Sequence, residues 1–167
     1  MGQKIVCVDS REQWTQGRSN DTHISSYFDR HSIPYIVKCL NVGDYTYEGS
    51  RIAVDRKQNL EEVARNLTNK SDSSRFWREV RRAHQSGITL VVLVEHGPDI
   101  KTINDVAKWH SRWTGVSGRH LVDIMTRLEL SYGVIWRFCS KRSTAKQIIE
   151  ILKGEINCQR KIKRPKS

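Results

Sequence analysis

Short runs of apolar residues predict the strands of this chain. The clearest run is GITLVVLVE at residues 87–95, which is apolar on both faces and rich in β-branched residues. That pattern is typical of a central strand in a sheet covered by helices on both sides. Shorter runs predict strands at residues 4–8, 35–42, 51–54 and 133–138. Gly43 and Gly49 mark a hairpin, and residues 51–54 form its returning arm.

Apolar residues spaced three and four positions apart predict five helices. Their candidate N-caps are Ser19 or Asn20, Asn59, Ser117 and Ser143. The fifth helix lies at residues 71–84. The order β-α-β-β-β-α-α-β-α-β-α predicts an α/β fold, with a mixed central sheet and helices on both faces. Residues 97–118 are the least regular stretch, and we expect a loop there.

Composition narrows the class of protein. With 167 residues, 37% of them hydrophobic and 28% charged, the chain has the balance of one folded soluble domain. Its longest apolar run is too short to span a membrane, and the first residues lack a signal peptide's apolar core. Four scattered cysteines without a CxxC pair favour a reducing compartment. We expect a cytoplasmic protein of a bacterial or phage-infected cell, or a nuclear one in a eukaryote, without membrane or small-molecule cofactor.

Positive charge indicates a polyanionic partner. The net charge is +11, and removing the five positive charges of the final CQRKIKRPKS still leaves about +6. We interpret residues 1–153 as the folded domain and residues 154–167 as a flexible basic tail. This tail, which contains Arg160 and Lys161, either binds phosphate or only adds solubility.

Candidate chemistry is concentrated in the hairpin VGDYTYEGSRIAVDRK, residues 42–57. Pairing of its two arms brings Asp44 and Asp55 together at one end of the sheet. Lys57 lies two positions after Asp55, so both side chains point to one face of the strand, while Arg56 faces the other way with its carbonyl free to act as a ligand. Two close carboxylates repel each other without a cation, and Mg²⁺ usually takes one or two carboxylates. The hairpin therefore predicts either a metal-dependent hydrolytic site or a solvated charged surface.

Six segments resemble a known family, and they occur in that family's order. They are VDSRE, VGDY, VDRK, RFWREVRR, LVVLVE and GVIWRF, and with the closing helix they cover residues 5–152. The set is similar to the nuclease domain of XPF-type structure-specific endonucleases, in the PD-(D/E)xK, restriction-endonuclease-like group. The resemblance implies a restriction-endonuclease-like mixed sheet. It also implies Mg²⁺- or Mn²⁺-dependent hydrolysis of phosphodiester bonds in branched DNA such as flaps, forks or junctions.

The resemblance also implies roles for particular residues. The metal ligands would be Asp44, Asp55 and the backbone carbonyl of Arg56, and Lys57 would be the catalytic lysine. Three further catalytic residues would support the site and bind phosphate: Asp9, Arg11 and Glu12.

This chain departs from the family pattern in three ways. Asp55 replaces the usual glutamate, which alters the reach of the carboxylate. The acidic residue expected soon after the lysine is either Glu61 or Glu62. Family members usually carry a helix-hairpin-helix domain after the nuclease, and here we expect weaker intrinsic DNA affinity, a partner protein or reliance on the basic tail.

A set of basic residues is expected to bind DNA: Arg11, Arg56, Arg75, Arg78, Arg82, Arg112, Arg160 and Lys161. Three of them share the predicted helix at residues 71–84, whose charged face either contacts phosphates or is simply solvated. Trp109 and Trp113 flank Arg112, and these aromatics either stack on unpaired bases or pack on the domain.

These observations lead to one expectation and two alternatives. We expect a metal-dependent DNA endonuclease of repair, recombination or phage DNA processing, acting as a homodimer or with a partner protein. One alternative is a non-catalytic DNA-binding subunit of a nuclease complex. The other is a four-way-junction resolvase of the same fold.

Overall fold

The structure, a computed structural model, describes residues 2–12 and 22–154 of the chain. These residues form one six-stranded mixed sheet in the order β2-β1-β3-β4-β5-β6. The strands are β1 (Val6–Asp9), β2 (Tyr35–Lys38), β3 (Tyr45–Tyr47), β4 (Ile52–Lys57), β5 (Thr89–Glu95) and β6 (Ile135–Cys139). β3 is antiparallel to both of its neighbours, and the other neighbouring strands are parallel. The predicted mixed α/β sheet is confirmed.

Helices pack on both faces of this sheet, as predicted. They are α1 (Thr22–Arg30), α2 (Leu60–Thr68), α3 (Lys70–Gln85), α4 (Ile103–Val106), α5 (Gly118–Tyr132) and α6 (Thr144–Leu152). The predicted caps at Asn59 and Ser117 are confirmed, because their side chains accept hydrogen bonds from the backbone N–H groups of Glu62 and His120. The candidate caps Ser19 and Asn20 lie outside the described residues. None of the helices described combines the length and apolar composition that a membrane crossing needs.

Two apolar layers bury the sheet from opposite sides. Helices α2, α3 and α5 cover one face, where Leu60, Phe76 and Leu121 belong to the same buried apolar cluster as Ala53 of β4. Helices α1 and α6 cover the other face, where their side chains pack around Val54. Each large apolar side chain buried in this way stabilises the fold by roughly 1.5–3 kcal/mol. The alternation along β4 therefore gives the strand two buried faces with different neighbours.

The predicted strand at residues 35–42 is shorter in the structure and ends at Lys38. Beyond it, the backbone N–H of Leu40 donates to the buried carboxylate of Asp9 at 2.9 Å rather than to a neighbouring strand. Gly43 then has a φ of +70°, which ends any extended path. A tertiary hydrogen bond therefore competes with the strand and displaces its last residues.

The expected loop at residues 97–118 contains the short helix α4 and an ordered turn. The Asp105 carboxylate accepts hydrogen bonds from the backbone N–H groups of Lys101 at 3.0 Å and Thr102 at 2.8 Å. These bonds satisfy donors at the beginning of α4. The expectation of a loop is wrong for residues 103–106, because local polar capping compensates for the weak apolar periodicity.

Candidate active site

Asp44 and Asp55 lie side by side where β3 and β4 meet. Tyr45 pairs with Val54 in the antiparallel register, and the N–H of Asp44 donates to the carbonyl of Val54 at 2.7 Å. Asp44 Oδ2 in turn accepts from the N–H of Arg56 at 2.8 Å. The hairpin therefore places both carboxylates on the face that carries α2 and α3, as its sequence predicts.

Lys57 joins the same face two positions after Asp55. Its Nζ atom lies 3.0 Å from Asp55 Oδ1 and 2.9 Å from Asp55 Oδ2, and 4.0 Å from Glu62 Oε1. Burial works to lower the pKa of Lys57, but the charges of Asp55 and Asp44 outweigh it and the net pKa is raised. The lysine is consequently a buried ammonium rather than a neutral amine that could accept a proton.

Gly43 and Glu79 hold the backbone that leads into Asp44. A side chain at Gly43 would place its Cβ 2.9 Å from the carbonyl oxygen of Val54, so the close contact requires glycine. The N–H of Gly43 donates to Glu79 Oε1 of α3 at 2.7 Å. Burial, and after it the charge of Asp55, raise the pKa of Glu79.

Sequence reasoning missed Glu79 as a residue of the site. In the sequence it is a single acidic residue among the arginines of RFWREVRR. The available signal was its position three residues after Phe76 and beside Val80, on the buried stripe of α3. A carboxylate on an apolar stripe must have a polar neighbour or a ligand.

These side chains line a cavity of about 210 Å³. Its acidic members are Asp44, Asp55, Glu62 and Glu79, and its basic members are Arg11, Lys57 and Arg75. Burial raises the pKa of Asp44 well above its ordinary value of 3.8, and the negative charges of Asp55 and Glu12 raise it further. The cavity thus holds unfavourable negative charge that its own lysine only partly offsets.

The structure distinguishes between the two candidate acids that follow Lys57. Glu62 lines the cavity, and its Oε2 atom accepts from the N–H of Gln58 at 2.8 Å. Glu61 instead accepts hydrogen bonds from Ser111 and Arg112, in the turn before α5. Of the two, Glu62 is therefore the acid positioned next to the cavity.

Asp9 and Arg11 stand at the end of β1, beside this cavity. The fully buried carboxylate of Asp9 accepts from Arg11 Nε at 2.8 Å, from Arg11 Nη2 at 2.9 Å and from the backbone of Leu40. Burial works to raise the pKa of Asp9, but the hydrogen bonds from Arg11 and Leu40 lower it below its usual value. Asp9 therefore orients Arg11, whose side chain is 61% exposed and lines the cavity.

Arg56 and Glu12 lie on the opposite face of the hairpin. Arg56 Nε donates to Glu95 Oε1 at 2.6 Å, and Thr144 of α6 donates to the same oxygen at 2.9 Å. Glu12 Oε2 accepts from the Tyr45 hydroxyl at 2.9 Å and lies 3.8 Å from Arg56 Nη1. The Arg56 side chain is thus only 4% exposed, and its ion pair with Glu95 holds β4 on the face opposite the cavity. Its expected role in binding DNA stays a prediction.

The other described residues expected to bind DNA, which are Arg75, Arg78, Arg82 and Arg112, lie on the surface. Arg75 lines the cavity and is exposed, and Arg78 is exposed further along α3. Arg82 Nε donates to the carbonyl of Asn41 at 3.1 Å. Arg112 is exposed in the turn before α5. Arg160 and Lys161 lie outside the described residues.

The donor set of the cavity suits a hard divalent cation. Its carboxylates supply oxygen ligands, and the buried Asp55 Oδ2 makes no well-formed hydrogen bond, although Lys57 Nζ lies 2.9 Å away. Within residues 2–12 and 22–154, no three histidine, cysteine, aspartate or glutamate side chains converge into a closed metal cage. This arrangement fits Mg²⁺ or Mn²⁺, which take one or two carboxylates and complete their shell with water and substrate oxygens.

Similarity to known proteins covers most of the described chain. The ERCC4 domain matches residues 8–152. The solved structure of XPF from Aeropyrum pernix is 23% identical, with a TM-score of 0.65 over 92% of this chain and 65% of that chain. XPF from the same organism in complex with DNA is 22% identical, with a TM-score of 0.61 over 91% of this chain and 64% of that chain. This chain spans just under two thirds of those structures, and the likeness to them establishes the fold. No curated protein sequence matches the chain.

Proposed function

This chain belongs to the ERCC4-domain family, a family of nucleases, and we propose that it is a Mg²⁺- or Mn²⁺-dependent endonuclease that cuts branched DNA. The observation that carries the proposal is the convergence of Asp44, Asp55 and the Lys57 ammonium in one cavity. A scaffold protein has no physical reason to hold Asp44 beside Asp55, where burial and the neighbouring charge raise the pKa of Asp44. The same cavity suits a cation and the phosphate that a cation would bind.

Asp44 and Asp55 would hold the ion, and the carbonyl of Arg56 is the third candidate ligand. When bound, a divalent ion lowers the pKa of an attacking water and neutralises charge that develops on the scissile phosphate. Lys57 keeps its proton, because its pKa is raised, and so it donates hydrogen bonds to the phosphate or to the water rather than acting as a base. Glu62 and Glu79 hold backbone N–H groups of Gln58 and Gly43 and thereby fix the walls around these groups.

Cations around the cavity would position the DNA backbone. Arg11 and Arg75 line the cavity with exposed guanidinium groups, and both can reach phosphates next to the scissile one. The net charge of +11 adds a sequence-independent attraction for nucleic acid. One of the structures with this fold contains DNA, which supports a DNA substrate here.

The biological setting forms part of the proposal. We place the activity in DNA repair, recombination or phage DNA processing, in the cytoplasm or in a eukaryotic nucleus. The substrate would be a flap, fork or junction, bound by two subunits that are either copies of this chain or this chain and a partner protein.

Cleavage of end-labelled DNA tests the proposal. Fork, flap, junction and linear DNAs are incubated with Mg²⁺, Mn²⁺ or EDTA and with parent protein, Asp44→Asn or Lys57→Ala. We expect cutting of branched DNA that needs the metal and falls by at least about 100-fold in both variants, since each removes transition-state stabilisation worth about 3 kcal/mol or more. Asp123→Asn and Lys101→Ala are matched controls at exposed positions and should cut like the parent. A parent that binds branched DNA yet cuts none with either metal would instead be a non-catalytic subunit.

A further inference from the structure

The turn that precedes α5 is held in one conformation by its own hydrogen bonds. The N–H of Ser111 donates to the carbonyl of Val116 at 3.0 Å, and the N–H of Gly118 donates to the carbonyl of Trp109 at 2.7 Å. The Ser111 hydroxyl oxygen also accepts from the N–H groups of Trp113 at 3.2 Å and Thr114 at 2.9 Å. Hydrogen bonds within residues 109–118 therefore define one conformation of this turn.

This turn is attached to the first turn of α2, next to the candidate active site. Ser111 Oγ donates to Glu61 Oε2 at 2.7 Å, and the N–H of Arg112 donates to Glu61 Oε1 at 2.8 Å. The residue after Glu61 is Glu62, which lines the cavity of Asp44 and Asp55. One carboxylate thus fixes the position of the turn relative to the cavity.

Trp113 projects from this turn into solvent. It is 84% exposed, whereas Trp109 and Trp77 are partly buried against the core and Trp136 is 7% exposed. The structure therefore separates Trp109, which packs on the domain, from Trp113, which does not. A large aromatic side chain held out in water by an ordered turn leaves its apolar face available to a ligand.

We propose that Trp113 is a stacking platform for an unpaired base of the DNA substrate, next to the branch point. The inference rests on the proposed function, since it assigns the single-stranded part of a branched substrate to this surface. Stacking on an aromatic ring does not depend on base identity, because every base presents a flat π face. Arg112, exposed beside Trp113, adds a cation for the neighbouring phosphate.

The surroundings of Trp113 favour a nucleic acid over a protein partner. Its neighbours along the turn are the exposed residues Arg112, Thr114 and Gly115, which are polar or lack a side chain. Protein interfaces place their aromatic anchors at the centre of a well-packed apolar patch. A lone aromatic beside a cation on a chain with a net charge of +11 instead matches the pattern of single-strand binding.

Binding measurements in EDTA test the inference without any cutting. Fluorescence anisotropy is measured for a labelled single strand, a fork with a single-stranded arm and a blunt duplex, with Trp113→Ala, Trp113→Leu and Trp113→Phe. We expect Trp113→Ala and Trp113→Leu to weaken binding of the single strand and the fork by about 5- to 100-fold, from the usual alanine effect on base stacking. Trp113→Phe should retain most of the affinity, and duplex binding should change less than twofold. Leu130→Ala is the matched control, since Leu130 is 77% exposed on α5, and it should bind like the parent.

A probe within the DNA shows whether the ring contacts a base. The fluorescence of 2-aminopurine placed in the single-stranded arm beside the branch should fall on binding to the parent and to Trp113→Phe, and not on binding to Trp113→Leu. Equal affinity of all three Trp113 variants for the single strand would overturn the inference. So would a variant that loses self-association or a protein partner while its DNA binding is unchanged.

The two proposals fail in distinguishable ways. If the parent cuts forks with Mg²⁺ and Trp113→Ala binds the single strand as tightly as the parent, the stacking role is wrong and the nuclease assignment stands. If the parent cuts nothing but loses single-strand affinity in Trp113→Ala, the nuclease assignment is wrong and the base-binding surface stands.

Discussion

Asp44→Asn should stabilise the protein in the absence of metal while it removes activity. Asp44 immediately precedes the Tyr45–Val54 pair, and its N–H donates to the carbonyl of Val54, the residue before Asp55. Its carboxylate accepts a hydrogen bond from the N–H of Arg56 at 2.8 Å, and the amide oxygen of an asparagine can accept the same bond. The substitution thus keeps the local hydrogen bond and removes one negative charge from a partly buried cluster.

The expected gain follows from the charges around Asp44. The charge of Asp55 repels that of Asp44, and two unit charges about 5 Å apart repel by roughly 3 kcal/mol at an effective dielectric constant of about 20. Burial makes the largest contribution to the penalty on the Asp44 charge, the charges of Asp55 and Glu12 add to it, and attraction to Lys57 offsets part of it. We expect the free energy of unfolding to rise by about 1–2 kcal/mol and Tm by about 2–8 °C.

The raised pKa of Asp44 determines how the stability difference between the parent and Asp44→Asn changes with pH. Because the pKa of Asp44 is raised above 3.8 in the folded protein, its ionisation favours the unfolded state. The penalty begins as pH rises past about 4 and is complete above the raised pKa. The advantage of Asp44→Asn should therefore vanish as pH falls towards about 4 and should grow as pH rises through the raised pKa of Asp44.

Thermal unfolding in EDTA and in a magnesium titration measures these effects. Mg²⁺ should raise the Tm of the parent, with a stabilisation of about 2.7 kcal/mol at 100 times its Kd, and should leave Asp44→Asn nearly unchanged. Asp123→Asn, at an exposed position, should match the parent in both conditions. A variant less stable than the parent in EDTA, or a magnesium shift equal in both proteins, would refute the charge-cluster reasoning.

Three further substitutions test the support of the site by urea unfolding. Gly43→Ala should lower the free energy of unfolding by more than about 1 kcal/mol, because the residue has a φ of +70° and no room for a Cβ; an unchanged midpoint would contradict this. Arg56→Ala should cost about 3–5 kcal/mol by leaving Glu95 buried without its partner, whereas Arg56→Met combined with Glu95→Leu should cost less; equal losses would contradict this. Asn59→Ala should cost about 1 kcal/mol by removing the cap of α2, and Asn59→Ser should retain most of it.

Local pattern was enough to predict most of the fold. The apolar run of β5 and the helical spacing of α2, α3 and α5 depend on neighbours within a few residues, and each is present in the structure. The error at the end of β2 has a long-range cause, because Leu40 bonds to Asp9, 31 positions away in the chain. The missed helix α4 depends on capping by Asp105, which hydrophobic periodicity does not detect.

The site was predictable only as far as its hairpin. Alternation along β4 and the register with β3 bring Asp44, Asp55 and Lys57 together, and both follow from two neighbouring segments. Glu79 comes from α3, whose position over the hairpin is set by packing rather than by any local signal. Arg56 illustrates the same limit, since strand alternation predicts the face of its side chain but not its buried partner Glu95. Its role in binding DNA stays a prediction.

The two faces of β4 have different roles in the proposed reaction. One holds the strand in place, and the other carries the candidate catalytic side chains. On one face, Arg56 is paired with Glu95, which also accepts from Thr144, so the charges are matched and the strand is held against α6. On the other face, Asp55 and Lys57 stand beside carboxylates that burial and mutual repulsion make unfavourable. The contacts on the Arg56 face hold the backbone of β4 in position. Repulsion between the carboxylates on the other face therefore does not have to move the strand. Under the proposed function, a bound cation, rather than a change in the fold, would relieve this repulsion.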